Sequence, residues 1–138
     1  MTNPDAPVNF IEVYADRTAH SLGLTWTLAA FNGGTPVIDY TISVAKNFGT
    51  VQVLKSGNLA TNYVASSLEA GATYDFWVQS RNSFGLSTYS AQLQLVAGFK
   101  PEIPAPPTTT VIANNVIIQW VAPTTNGATI TSYRISIM

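Results

Sequence analysis

One run of residues occurs twice in this chain, and it is the run of a small all-β module. Trp26, Asn32-Gly33 and Tyr40-Thr41-Ile42-Ser43-Val44 return as Trp120, Asn126-Gly127 and Tyr133-Arg134-Ile135-Ser136-Ile137. Before each turn, apolar residues hold every second position: Leu22, Leu24 and Trp26 in the first copy, Val116, Ile118 and Trp120 in the second. Alternation of period two sends successive side chains to opposite faces of an extended backbone, so each run predicts a strand with one buried face. A chain that repeats such a unit is a string of like modules. The second copy reaches Met138 after about three strands, so its core faces are expected to need a cover.

The rest of the first copy reads in the same way. Val51-Gln52-Val53-Leu54 and Asn62-Tyr63-Val64-Ala65 are short strands, Tyr74, Phe76 and Val78 alternate with Asp75, Trp77 and Gln79, and Gln92 to Val96 closes the set. A further strand lies within Val8 to Tyr14, where Phe10, Ile11 and Val13 do not alternate cleanly. About seven strands before Gly98, with turn residues every 8 to 12 positions, predict one complete seven-stranded immunoglobulin-like β-sandwich. At 138 residues the chain exceeds a common domain of roughly 100 residues and falls short of two, which fits one domain and part of another.

The ordered signposts are Ala6-Pro7, Trp26, the run Gly34 to Tyr40, the corner Leu68-Glu69-Ala70-Gly71-Ala72-Thr73-Tyr74, and Arg81-Asn82-Ser83-Phe84-Gly85. In that order and spacing they make the chain resemble the fibronectin type III family over nearly its whole length. The resemblance implies a tyrosine corner, with the Tyr74 hydroxyl returned to backbone near Leu68 to Gly71. The expected organisation is a complete domain at 1–98, a proline-rich junction at 99–107, and a partial domain of about three strands at 101–138. Pro101-Glu102-Ile103-Pro104 copies Pro4-Asp5-Ala6-Pro7, which marks the start of the next repeat. Its prolines predict a stiff, extended joint.

Composition removes most other functions. Charged residues are only 9% of the chain and the net charge is −1, with no Lys/Arg cluster to track a phosphate backbone, so nucleic acid is not an expected partner. No stretch is apolar enough to insert in a membrane. Without cysteine there is neither a disulfide nor a thiolate metal site. His20 is the only histidine and has no triad or metal partner in the sequence. Asp39 and Asp75 alternate outward on neighboring strands beside Arg81, where a surface charge cluster is expected rather than an acid-base pair. The chain is therefore expected to be non-enzymatic and to need no cofactor and no metal.

The residues that remain are candidates for contact. Val116, Ile118, Trp120, Tyr133, Ile135 and Ile137 would line the uncovered core of the second repeat. At about 1.5 to 3 kcal/mol per buried large apolar side chain, they leave on the order of 10 kcal/mol unrealised. Two covers are open: later strands of a longer tandem chain, or strands of a neighboring copy that build a head-to-tail filament. Trp77 alternates outward and is either an interface residue or a cross-strand partner on its own sheet. Thr108, Thr109 and Thr110 beside Pro106-Pro107 are candidate O-glycosylation sites or the unmodified start of a strand. The expected function is a structural or adhesive tandem-repeat module, with neighboring repeats or copies of itself as partners. The low-charge, Asn/Thr-rich texture further suggests an extracellular or cell-surface location. The alternative is a ligand- or carbohydrate-recognition module, of a receptor ectodomain or of a secreted enzyme, with glycans as partners.

Overall fold

The structure is a computed structural model that describes residues 1–137. The first repeat is a two-layer sandwich. One layer joins β1 (Val8–Val13), β2 (Leu22–Thr27) and β5 (Asn62–Ala65) in the order β1-β2-β5. The other joins β3 (Asp39–Lys46), β4 (Gln52–Asn58), β6 (Thr73–Arg81) and β7 (Leu93–Val96) in the order β4-β3-β6-β7. Every pairing is antiparallel. The expected seven strands are all present, and each sheet turns its apolar positions toward the other.

Alternation places the core where the sequence put it. Leu22, Leu24 and Trp26 of β2 face Tyr40 and Ile42 of β3 and Tyr74, Phe76 and Val78 of β6, all buried. Trp26 stands edge-on to Tyr40 at 5.4 Å between ring centroids and to Phe10 at 6.1 Å, the geometry that aromatic quadrupoles favor. The irregular phase of β1 has a local cause. Its register slips between Val8 and Ile11, and Asn9 adopts a left-handed φ of 52°. Such a bulge aims Phe10 inward while leaving Ile11 exposed. A 3₁₀ turn, Tyr14–Asp16, follows β1. It passes so close to β2 that a Cβ on Gly23 would meet Asp16 Cβ at 2.7 Å.

The outer face of the larger sheet corrects one expectation. Asp39 and Asp75 are buried, at 4% and 3% exposure, rather than set on an open surface. They also lie far apart: Asp39 pairs in register with Arg81, whereas Asp75 pairs with Ala45 six residues further along β3. At about 3.3 Å per residue this separates them by roughly 20 Å, too far for two carboxylates to share acid-base work. Asp39 instead accepts a two-pronged bond from Arg81, with Nε to Oδ1 at 2.8 Å. Asp75 Oδ1 accepts from Gln92 Nε2 at 2.7 Å and Gln94 Nε2 at 2.8 Å.

The partial second repeat contributes β8 (Thr108–Ile112) and β9 (Asn115–Gln119), an antiparallel pair. Residues 133–137, expected as its third strand, form no ladder. A strand exists only through hydrogen-bonded neighbors. In the first repeat the equivalent β3 is paired on both sides, by β4 and β6, and residues 99–137 hold no counterpart of either. Even so, the Trp120 and Tyr133 rings meet at 5.4 Å with a tilt of 59°, close to the 5.4 Å and 67° of Trp26 and Tyr40.

Candidate functional site at the repeat joint

Two surfaces stand out: the joint between the repeats and the open face of the second. The joint begins where β7 leaves the first repeat. Gly71 N–H donates to Ala97 O at 2.6 Å and Ala97 N–H to Ala72 O at 2.9 Å, tying the exit to the corner before β6. That corner is itself fixed, since Glu69 N–H donates to Tyr74 Oη at 3.0 Å, the predicted tyrosine corner. His20 belongs to the same brace: Leu68 N–H donates to His20 O at 3.0 Å, and the His20 ring Nδ1 lies 2.8 Å from Leu68 O. From the other side Arg17 donates through Nη1 to Val96 O at 2.9 Å and Gly98 O at 3.1 Å. Its Nε is held by Glu12 at 2.6 Å, so both the exit carbonyls and the guanidinium are oriented.

Onto this platform docks the Asn126-Gly127 turn. Gly127 takes a left-handed φ of 79°, and a Cβ there would come within 2.5 Å of Gly71 N and 3.0 Å of Ala97 O. Only glycine allows both the conformation and the approach. Phe99 N–H donates to Asn126 O at 2.9 Å and Glu102 N–H to Thr124 O at 3.0 Å. Asn126 Nδ2 returns bonds to Lys100 O at 3.1 Å and Glu102 Oε1 at 2.9 Å. The expected stiffness of the joint therefore has a source besides proline: backbone bonds close it before Pro104 is reached.

The same bonds correct the alignment of the two copies. Thr2 N–H donates to Gly33 O and Asp5 N–H to Phe31 O, as Phe99 and Glu102 do to Asn126 and Thr124. The counterpart of Asn126-Gly127 is thus Gly33-Gly34, not Asn32-Gly33, and both pairs have two successive left-handed residues. A turn of that kind requires φ above zero at both central positions, which Gly-Gly and Asn-Gly satisfy equally. One residue is missing between Trp120 and this turn relative to the first repeat, a gap that matching letters hid.

The open face is a groove of about 360 Å³ between the proline run and the end of the chain. Of the residues expected there, Ile118, Trp120, Tyr133 and Ile135 line it together with Pro104 to Pro107, whereas Val116 and Ile137 are exposed outside its lining. Trp77 lies elsewhere, half-buried opposite Ser43 on the outer face of the larger sheet, with Tyr89 6.2 Å away. Thr108, Thr109 and Thr110 form the exposed first positions of β8. Among the described residues no group of three or more His, Cys, Asp or Glu side chains converges as a metal site. Sequence reasoning missed Arg17 and the small residues Gly71, Ala97 and Gly98. The signal was available in principle, because Arg17 is one of only six basic residues in the chain.

The fibronectin type III domain profile matches residues 5–96, and the chain belongs to that family of non-enzymatic β-sandwich modules, with a partial second repeat after the matched domain. It is 28% identical to titin of Drosophila melanogaster over 99% of its own length, and spans 1% of that protein. A crystal structure of titin domains superposes with a TM-score of 0.63 at 26% identity, covering 69% of this chain and 32% of that one. The twitchin kinase region of C. elegans gives 0.62 at 22% identity, covering 69% and 17%. The family match and the titin likeness support a structural module of tandem-repeat type. The titin matches contradict the extracellular or cell-surface location expected from the sparse charge, since titin is an intracellular sarcomeric protein.

Proposed function

We propose that the chain is a spacer in a linear array of fibronectin type III repeats, holding neighboring modules at a set distance and orientation. The observation that carries this reading is the joint. The Phe99 and Glu102 amides repeat the bonding of Thr2 and Asp5, and the second repeat's turn rests on the first repeat's corner. On this reading the groove lined by Ile118, Trp120 and Tyr133 is closed by later strands with the alternation of β5 and β6. The alignment of nearly the whole chain within a far longer relative supports that cover.

Residual dipolar couplings test the spacer role. Amides of β3 and β6 should fit one alignment tensor together with Phe99, Glu102 and Gly127. Two independent tensors would end the reading.

A second reading, filament growth by strands from a neighboring copy, is favored by the apolar lining of the groove. Sedimentation over a wide concentration range separates the two. Concentration-dependent chains of copies would favor exchange, and a monomer throughout would remove it.

A further inference from the structure

The first repeat carries at its leading pole the same surface that the second repeat uses to dock. Its Gly33-Gly34 turn has φ values of 79° and 89°, matching Asn126-Gly127. The turn is held by the same two backbone bonds, Thr2 N–H to Gly33 O at 2.9 Å and Asp5 N–H to Phe31 O at 3.1 Å. Gly127 abuts the Gly71 corner and the Ala97 carbonyl, but Gly34 is exposed, and a Cβ on it would meet only Met1. The equivalence of Thr2 with Phe99 places Met1 where Gly98 lies in the joint, so Gly34 faces the side from which an exit strand and its corner arrive.

The pole is already rigid. Buried Asn82 donates through Nδ2 to Thr2 O at 2.8 Å and Asn32 O at 2.9 Å, and its Oδ1 accepts from the amides of Phe84 and Gly85. Phe31 and Phe84, on the two loops that Asn82 ties together, are each about half exposed, at 52% and 53%. The ordered turn and these two aromatics are what a neighboring repeat would cover at this pole.

We propose that this pole docks the Glu-Ala-Gly corner and exit strand of a like repeat placed ahead of it in the same polypeptide. The proposal rests on the array reading above and deepens it by naming the contact. A second copy in solution does not fit, because its own corner is filled by its Asn126-Gly127 turn. Contact through two glycines buries little area, so it depends on the high effective concentration that a short tether supplies.

The absence of cysteine gives a clean test, since one introduced cysteine takes a spin label at a single place. A fusion joins residues 1–98 to residues 2–138, the splice set by the matching bonds. The leading copy carries labelled Glu69→Cys, and isotope is confined to the following segment by segmental ligation. The Gly33, Gly34 and Thr35 amide signals should be lost to broadening. The control is the single chain, in which the same label should broaden Asn126, Gly127 and Ala128. Full Gly34 intensity with the control intact would overturn the proposal and leave the array reading standing. Loss of the control effect would sink the array reading, and the proposal with it.

Discussion

Single residues set the corner before β6, where a side chain completes bonds that the backbone leaves open. Tyr74 is buried and its hydroxyl accepts the Glu69 amide. Replacing it as Tyr74→Phe keeps the ring in the core but orphans that donor, which should destabilise the first repeat by about 1 to 3 kcal/mol. Urea unfolding measures this, and an unmoved midpoint would show that water replaces the phenol at no loss. Glu69 also pairs with Lys46 across the surface. The hydrogen bond from Lys46, followed by its charge, holds the Glu69 carboxyl below its ordinary value, and the same contact raises the Lys46 ammonium. A carboxyl lowered by folding stabilises above its unfolded value, and that contribution is lost as pH falls through the folded value. A raised ammonium contributes below its unfolded value and loses that contribution as pH rises through the folded one. In Lys46→Met the Glu69 carboxyl midpoint, followed by carbon NMR, should climb toward its ordinary value. A midpoint that stays put would show that the pairing is not maintained in solution. Trp26 and Tyr74 were legible in the sequence because alternation and motif spacing both report inward-facing positions. The burial of Asp39 and Asp75 was not. It depends on Arg81 and Gln94 reaching over them from adjacent strands and on Gln92 just before β7, a register that no single strand reveals.

The elements show the same division between what is local and what is paired. The seven strands of the first repeat follow from alternation and turns, whereas the bulge in β1 shows in the sequence only as the broken alternation of Phe10, Ile11 and Val13, and its cause, Asn9 entering the left-handed region, does not. Residues 133–137 carry a strand's alternation without a strand's partners, so pattern alone overstates them. The turns differ in letters for a related reason. Asn-Gly and Gly-Gly serve one geometry, so the repeated Asn-Gly letters fall one residue out of step with the repeated left-handed φ values. The exit of β7 depends on one side chain, because Arg17 bridges Glu12 to the Val96 and Gly98 carbonyls from a largely buried position. Arg17→Ala should leave the sandwich core intact but accelerate hydrogen exchange at Phe99 and Gly71, the amides that close the joint. Arg17→Lys keeps the charge and loses the fork, so exchange should fall between the two. Equal exchange in all three proteins would show that the corner holds the exit strand unaided.

For the whole molecule, the first repeat is closed and the second is open, and that difference should dominate its energetics. A two-stranded hairpin is marginal in water, and β8 and β9 have only each other, the joint and the Trp120–Tyr133 contact. Trp120 is 38% exposed where Trp26 is 2%, although the two rings stand in nearly the same relation to their tyrosines. In dilute solution the β8 and β9 amides should therefore exchange through local opening, at free energies well below those of β3 and β6. Tryptophan emission should carry a red-shifted component that disappears in Trp120→Phe and persists in Trp77→Phe. Supplying the cover, by extending the chain with the strands that complete a fibronectin type III repeat, should raise β9 protection to that of β2 and move the Trp120 emission to the blue. If β9 is already as protected as β6 without that extension, the groove is not an unfinished core. The contacts within residues 99–137 would then suffice to hold it, and the array would need no further strands to explain the apolar face.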